Sequence, residues 1–177
     1  KNETHPMGII AIVGAGNVGQ AIAGHMTLLG HEVRLYSRWE RDFEAITSTG
    51  GIELSGDVEG RAAKPLLTTD LVTAVRGADT IIVAAPAFAH AYFSEQLAAL
   101  LEPGQLVVFQ PGVLGSSLEL ARHFALAQRR PCLIAETATS LYTCRLRGPA
   151  KVFIGAIKQA VPLATIPHAA CQEALAR

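Results

Sequence analysis

Apolar and polar positions follow two alternating patterns along this chain. Short continuous apolar runs at Gly8–Val13, Val33–Tyr36, Pro65–Leu67, Thr80–Ala84, Leu106–Phe109 and Cys132–Ala135 read as buried strands. Helical spacing fills the gaps between them. Asn17–Leu29 places Val18, Ile22, Met26 and Leu29 on one face, and the stretch after Pro86 does the same with Phe93, Leu97 and Leu100. Further helices are predicted near Trp39–Thr49, from the capping pair Thr69-Asp70 to Val75, and over Ser116–Gln128. Gly30 and Gly50-Gly51 end two of them, as glycine does past a helix C-terminus. Unbroken apolar strands separated by amphipathic helices predict a parallel sheet covered on both faces. Ile52–Ala62 breaks the alternation. Apolar residues on either side of Ser55-Gly56-Asp57 predict a β-hairpin inserted before the third strand. Val152–Ile157 reads as a seventh strand, and His168–Arg177 as the opening turns of a helix.

The junction of the first strand with its helix is Gly14-Ala15-Gly16-Asn17-Val18-Gly19. Strand, G-x-G-x-x-G and helix form the phosphate grip of Rossmann-type dinucleotide-binding folds. Gly14 permits the tight turn, Gly16 lets backbone approach a pyrophosphate, and Gly19 lets the helix pack close to the strand. The helix N-terminus adds free N–H groups and about half a unit of positive charge. Asn17 and Val18 stand at that N-terminus and join the glycines as candidate cofactor contacts. The expected fold is therefore α/β, doubly wound and mainly parallel, with an inserted hairpin, as one domain over residues 7–177. Met7 makes a natural start, and Lys1–Pro6 read as an upstream extension.

With 177 residues, half of them apolar, and a formal net charge of zero, the chain has the means for one good core. It carries no basic bias toward nucleic acid and no apolar run long enough to span a membrane. The cysteines Cys132, Cys144 and Cys171 lack metal-ligand spacing and read as reduced thiols, so no metal and a cytoplasmic location are expected.

The end of the second strand bears on which dinucleotide binds. An NAD-selective site carries an acid there to bond the ribose 2′-OH. Here Tyr36 is followed by Ser37 and Arg38, with Arg41 a helical turn further on. A hydroxyl and a guanidinium can both bond a 2′-phosphate. Basic residues at a helix start also oppose the dipole, which favours a functional reason for them. The expected cofactor is NADP(H) rather than NAD(H).

Ligands of open α/β sheets lie outside the carboxyl ends of the strands. After the fourth strand come Ala85 and Pro86, small enough for riboses to lie against backbone. After the fifth come Gln110, Pro111 and Gly112, the expected neighbourhood of a nicotinamide. The sixth is followed by a polar segment from Glu136 to Arg145. Within it Thr137, Ser140 and Thr143 can orient a polar substrate and Arg145 can hold a carboxylate. An ordinary loop with hydroxyls capping backbone groups fits this segment equally well. Cys144 reads as packing, His90 as a surface or capping residue, and Trp39 as packing at its helix start. His25 and His123 fall within helices and are given no chemistry.

Met7–Gly19, Thr68-Thr69-Asp70, Val83–Ala87, Gln110-Pro111-Gly112 and, above all, Glu136-Thr137-x-x-Ser140-x-x-Thr143-Cys144-Arg145 resemble the N-terminal domain of opine dehydrogenases of the octopine/nopaline type. The resemblance implies reduction of an imine formed from an amino acid and an α-keto acid, which become the expected partners. It places the catalytic His, with its Asp partner, in a C-terminal helical domain beyond Arg177. No catalytic residue is then expected within this chain, and the chain alone is expected to be inactive. An apolar face left bare is expected to favour a homo-oligomer. Two other readings stay open, a ketopantoate-reductase-like NADP enzyme domain and a non-catalytic nucleotide-binding module.

Overall fold

The computed structural model describes residues 8–112 and 115–177, so the expected start at Met7 and the expected extension Lys1–Pro6 lie outside the described residues. The chain opens with β1 (Ile9–Val13), α1 (Asn17–Leu28) and β2 (Glu32–Tyr36). A 3₁₀ turn over Glu40–Phe43 leads into α2 (Glu44–Thr49), which Gly50 ends in the left-handed conformation at φ 75°. Next come the hairpin β3 (Gly51–Gly56) and β4 (Gly60–Ala63), then β5 (Leu66–Thr68) and α3 (Leu71–Val75). Asp70 caps α3, accepting the N–H groups of Val72 and Thr73 at 3.1 and 3.2 Å. The second half runs β6 (Thr80–Val83), α4 (His90–Leu100), β7 (Leu106–Phe109), α5 (Ser116–Leu126), β8 (Leu133–Thr137), β9 (Tyr142–Gly148), β10 (Lys151–Ile157), β11 (Leu163–Ile166) and α6 (Cys171–Leu175).

Seven strands form the main sheet in the order β11-β8-β7-β6-β1-β2-β5, all parallel except the β11–β8 pair. The order reverses between β1 and β6, the topological switch point of a doubly wound sheet. Alternation along β1 sends Ala11 and Val13 into the core beneath α3, α4 and α5, and Ile10 and Ile12 into the core beneath α1.

The hairpin has a larger role than an insertion. It belongs to a second sheet in the order β4-β3-β10-β9, in which β3 runs parallel to β10 and β10 antiparallel to β9. Val152–Ile157 is thus a strand of this second sheet and not a seventh strand of the first. Part of the segment read as a loop, Tyr142–Arg145, is the first half of β9. Helix α1 lies between the two sheets, which is why it is apolar on more than one face. A Cβ on Gly24 would stand 2.9 Å from Leu54 Cδ2 of β3, so α1 and β3 pack closely there. Leu29 lies just past α1, exposed, outside the predicted apolar face.

Candidate functional site

The carboxyl ends of β1, β2, β6 and β7 open onto a cleft of about 590 Å³. Its floor is held by ladder bonds that continue past the strands. Gly14 N donates to Tyr36 O at 2.9 Å, Ala84 N to Val13 O at 2.9 Å, and Gln110 N to Val83 O at 2.9 Å. The three motif glycines do different work. Gly14 adopts φ +116°, and a Cβ there would lie 3.0 Å from Ala84 O. At Gly19 a Cβ would stand 1.7 Å from Gly14 O, so helix and strand meet only because it is glycine. At Gly16 a Cβ would meet nothing within 4 Å. Gly16 is the N-cap of α1 and supplies no side-chain cap, so the first amides of the helix face open space in the cleft. This is the arrangement an anionic phosphate fits.

Of the residues singled out for cofactor contact, Gly14, Gly16, Asn17, Val18, Ser37, Arg38, Ala85, Pro86 and Gln110 line this cleft. Gly19, Arg41 and Gly112 do not. Gly112 packs against β8, where a Cβ would stand 2.3 Å from Glu136 Cβ. Its N–H donates to Thr137 O at 2.9 Å. Asn17 Oδ1 accepts Leu146 N–H at 2.9 Å, so its side-chain oxygen is held away from a ligand.

Ser37 is buried and its hydroxyl is occupied. It donates to Asp42 Oδ2 in a short contact and accepts Trp39 N at 3.3 Å. Trp39 is half-exposed, not packed as its place at a helix start suggested. The Arg38 guanidinium stands 5.4 Å from the Trp39 ring centre and 4.8 Å from that of Tyr92, and Arg41 stands 5.3 Å from Trp39. These distances are within cation–π range. Gln110 Nε2 is buried beside the cleft with no partner among the described residues.

His90 is neither a surface nor a capping residue. It is 4% exposed. Nε2 lies 2.9 Å from Ala85 O, so that nitrogen carries the proton and donates. Nδ1 meets Ser116 Oγ at 2.7 Å. Because α4 follows the β6 end directly, the ring locks the cleft-lining Ala85 carbonyl to the start of α5.

The four residues considered for substrate contact do not line the cleft. Thr137 is buried and donates to Phe109 O at 3.4 Å. Ser140 Oγ donates to Tyr142 O at 3.1 Å and accepts its N–H at 3.2 Å. Thr143 and Arg145 share the exposed face of β9, while Tyr142 and Cys144 turn toward α1. Burial raises the Cys144 thiol above its ordinary value, in keeping with packing. Tyr142 OH meets His25 Nδ1 at 2.8 Å, a contact the sequence pattern gave no sign of. Cleft residues missed in the sequence are Asp42, brought back by the 3₁₀ turn, and Phe88, 88% exposed on the rim. The acid at Asp42 signals itself only through its place at a helix start.

Among the described residues no helix is long and apolar enough to cross a membrane, and no group of three His, Cys, Asp or Glu is placed to hold a metal. Likenesses to known proteins bear on this geometry. An opine dehydrogenase of Arthrobacter sp. (strain 1C) is 34% identical over 90% of this chain and 45% of its own length. A structure of octopine dehydrogenase with NADH and L-arginine superposes with TM-score 0.79 at 21% identity, covering 90% of this chain and 42% of that one. Yersinopine dehydrogenase with NADP+ gives TM-score 0.76 at 20% identity, over 96% of this chain and 44% of that one. The chain thus spans less than half the length of these relatives. Residues 10–159 match the sequence model of the family described as ketopantoate reductase PanE/ApbA. With a match over most of its length, the chain belongs to the ketopantoate reductase PanE/ApbA family, and its fold is the Rossmann type seen in octopine dehydrogenase.

Proposed function

We propose that this chain is the cofactor-binding domain of an NADP-dependent oxidoreductase that reduces the imine formed from an amino acid and an α-keto acid. One observation carries the reading. The cleft is open at Gly16 and closed by backbone at Gly14 and Gly19, as a pyrophosphate site requires. The resemblance to an opine dehydrogenase over 90% of the chain supports the reaction class. When bound, the dinucleotide supplies the hydride. The chain's part is to hold it: α1 amides and the glycine loop at the pyrophosphate, Arg38 at the 2′-phosphate with the Arg41 charge behind it beside Trp39, and Ala85, Pro86 and Gln110 along the central ribose and nicotinamide. The domain spans residues 7–177, and the acid–base group belongs to the part of the relatives that this chain does not cover.

Fluorescence titration with NADPH and NADH tests the reading. NADPH is expected to bind more tightly, and Arg38→Ala to remove the preference while leaving NADH nearly unchanged. A charge-assisted contact is worth about 1.5–3 kcal/mol, so its loss should cost roughly tenfold or more. Tighter NADH would overturn the NADP assignment. The family match favours one other substrate, ketopantoate. NADPH oxidation in the complete enzyme driven by ketopantoate, and not by amino acid plus keto acid, would replace imine reduction by that reaction.

A further inference from the structure

The second strand ends in Tyr36-Ser37-Arg38, with no acid at the position that receives a ribose 2′-OH. The 3₁₀ turn over Glu40–Phe43 nevertheless carries Asp42 back to that strand end, where its carboxylate meets the Ser37 hydroxyl and both line the cleft. The donor and acceptor balance there is specific. Ser37 has one hydroxyl proton, and Asp42 takes it. One Ser37 lone pair takes Trp39 N–H at 3.3 Å. What Ser37 and Asp42 still offer is acceptor capacity and a negative charge. A ribose 2′-OH is a donor and suits this pair. A 2′-phosphate brings only acceptors and about two negative charges at neutral pH, and is repelled by it. Arg38 and Arg41 act in the opposite sense, their guanidinium groups held beside Trp39 and Tyr92.

We propose that Asp42 is a specificity-determining residue that lets this site accept NADH alongside NADPH, by supplying from the turn after β2 the carboxylate that the strand end lacks. The proposal rests on the cofactor reading above. The two arginines set the attraction for the 2′-phosphate and Asp42 limits it, so the preference for NADPH is narrower than Ser37-Arg38 alone would give.

The test is titration of the wild-type chain, Asp42→Asn and Asp42→Ser with NADPH and NADH, with thermal melts as a check on folding. Asparagine keeps an acceptor toward Ser37 and removes the charge. In both variants the ratio of NADPH to NADH affinity is expected to rise about tenfold, through tighter NADPH and weaker NADH. A ratio within twofold of wild type in a folded variant overturns the proposal, because Ser37 and Asp42 must then turn away on binding. Wild-type chain that binds neither dinucleotide overturns both this proposal and the cofactor reading. Tighter NADH in the wild type, with the ratio still shifted by Asp42→Asn, overturns only the NADP preference.

Discussion

Asn17, the first residue of α1, accepts the backbone N–H of Leu146 at 2.9 Å, across 129 positions of sequence. β9 is an edge strand, so this N–H has no strand partner on its outer side. The bond ties the glycine loop to the strand that carries Thr143 and Arg145. It lies at the surface, where a hydrogen bond contributes about 0.5–1.5 kcal/mol. Asn17→Ala is therefore expected to lower stability by about 1 kcal/mol and speed hydrogen exchange at Leu146. Cofactor affinity should change less than about threefold, because the side-chain oxygen is held by Leu146 N–H. A tenfold loss of affinity would mean that the side chain contacts the ligand itself.

The two later glycines of the motif should separate stability from binding. Gly19→Ala drives a methyl to 1.7 Å from Gly14 O, and backbone on both sides must move. A loss of about 3 kcal/mol or more is expected in denaturant unfolding. Gly16→Val meets open space, at φ −76°, which any residue tolerates. It should cost about 1 kcal/mol as a poorer N-cap and yet abolish dinucleotide binding. Unchanged affinity in Gly16→Val would place the site elsewhere.

These glycines were legible because their signal is local: an apolar run, a spacing and a helix face within some twenty residues. The second sheet was not. The hairpin at Gly51–Ala63 shows itself as turn chemistry, but its pairing of Glu53 with Lys151 joins residues far apart in sequence. Tyr142–Arg145, the first half of β9, reads as a loop because Thr143 and Arg145 are polar. The period-two signal was present all the same, with Tyr142 and Cys144 packed inward and the polar residues between them facing out. β11 is only the four residues Leu163–Ile166 between Pro162 and Pro167, too short to show a period. Asp42 could not be placed from sequence, since only the 3₁₀ turn brings it to Ser37.

His25 gives the fold a pH dependence with a defined sign. Burial lowers its pKa from 6.5, and burial also pushes Tyr142 up to about 12. The phenol thus keeps its proton and donates it to Nδ1 of a neutral imidazole. The unfolded chain takes up a proton near pH 6.5 and the folded one only at lower pH. This contribution is therefore present in full above pH 6.5 and is lost as pH falls from there through the lowered folded value. Thermal melts from pH 7.5 to 5 should show the midpoint dropping in wild type and a flatter profile in His25→Gln. Parallel profiles would assign the acid sensitivity to other groups.

Arg145 offers a test of the substrate side. It stands on the exposed face of β9, two residues from Thr143, while the Thr137 and Ser140 hydroxyls are spent on backbone. Of the four candidates, Arg145 and Thr143 are therefore the two expected to matter. In the complete enzyme Arg145→Ala should raise the KM for a carboxylate substrate about tenfold or more, as loss of a charge-assisted contact does. The Kd for NADPH should hold steady. Normal KM and kcat would leave Arg145 as a solvated surface charge.

The 177-residue chain is expected to bind dinucleotide without turning over. Imine reduction needs a group to give the nitrogen its proton, positioned within hydrogen-bond reach. Among the described histidines His90 stands next to the cleft, but its Nε2–H is committed to Ala85 O and its Nδ1 to Ser116. Freeing the ring would break two buried contacts that hold the β6 end to α5. His90→Gln should therefore act on stability and, through Ala85, on cofactor affinity, but not on a proton-transfer step. The assay is NADPH oxidation with mixed amino acids and pyruvate, run on this chain and on the protein at its relatives' full length. Substrate-dependent oxidation by the short chain at a rate close to the long one would put the acid–base group within these residues. A pH–rate profile altered by His90→Gln would then identify it.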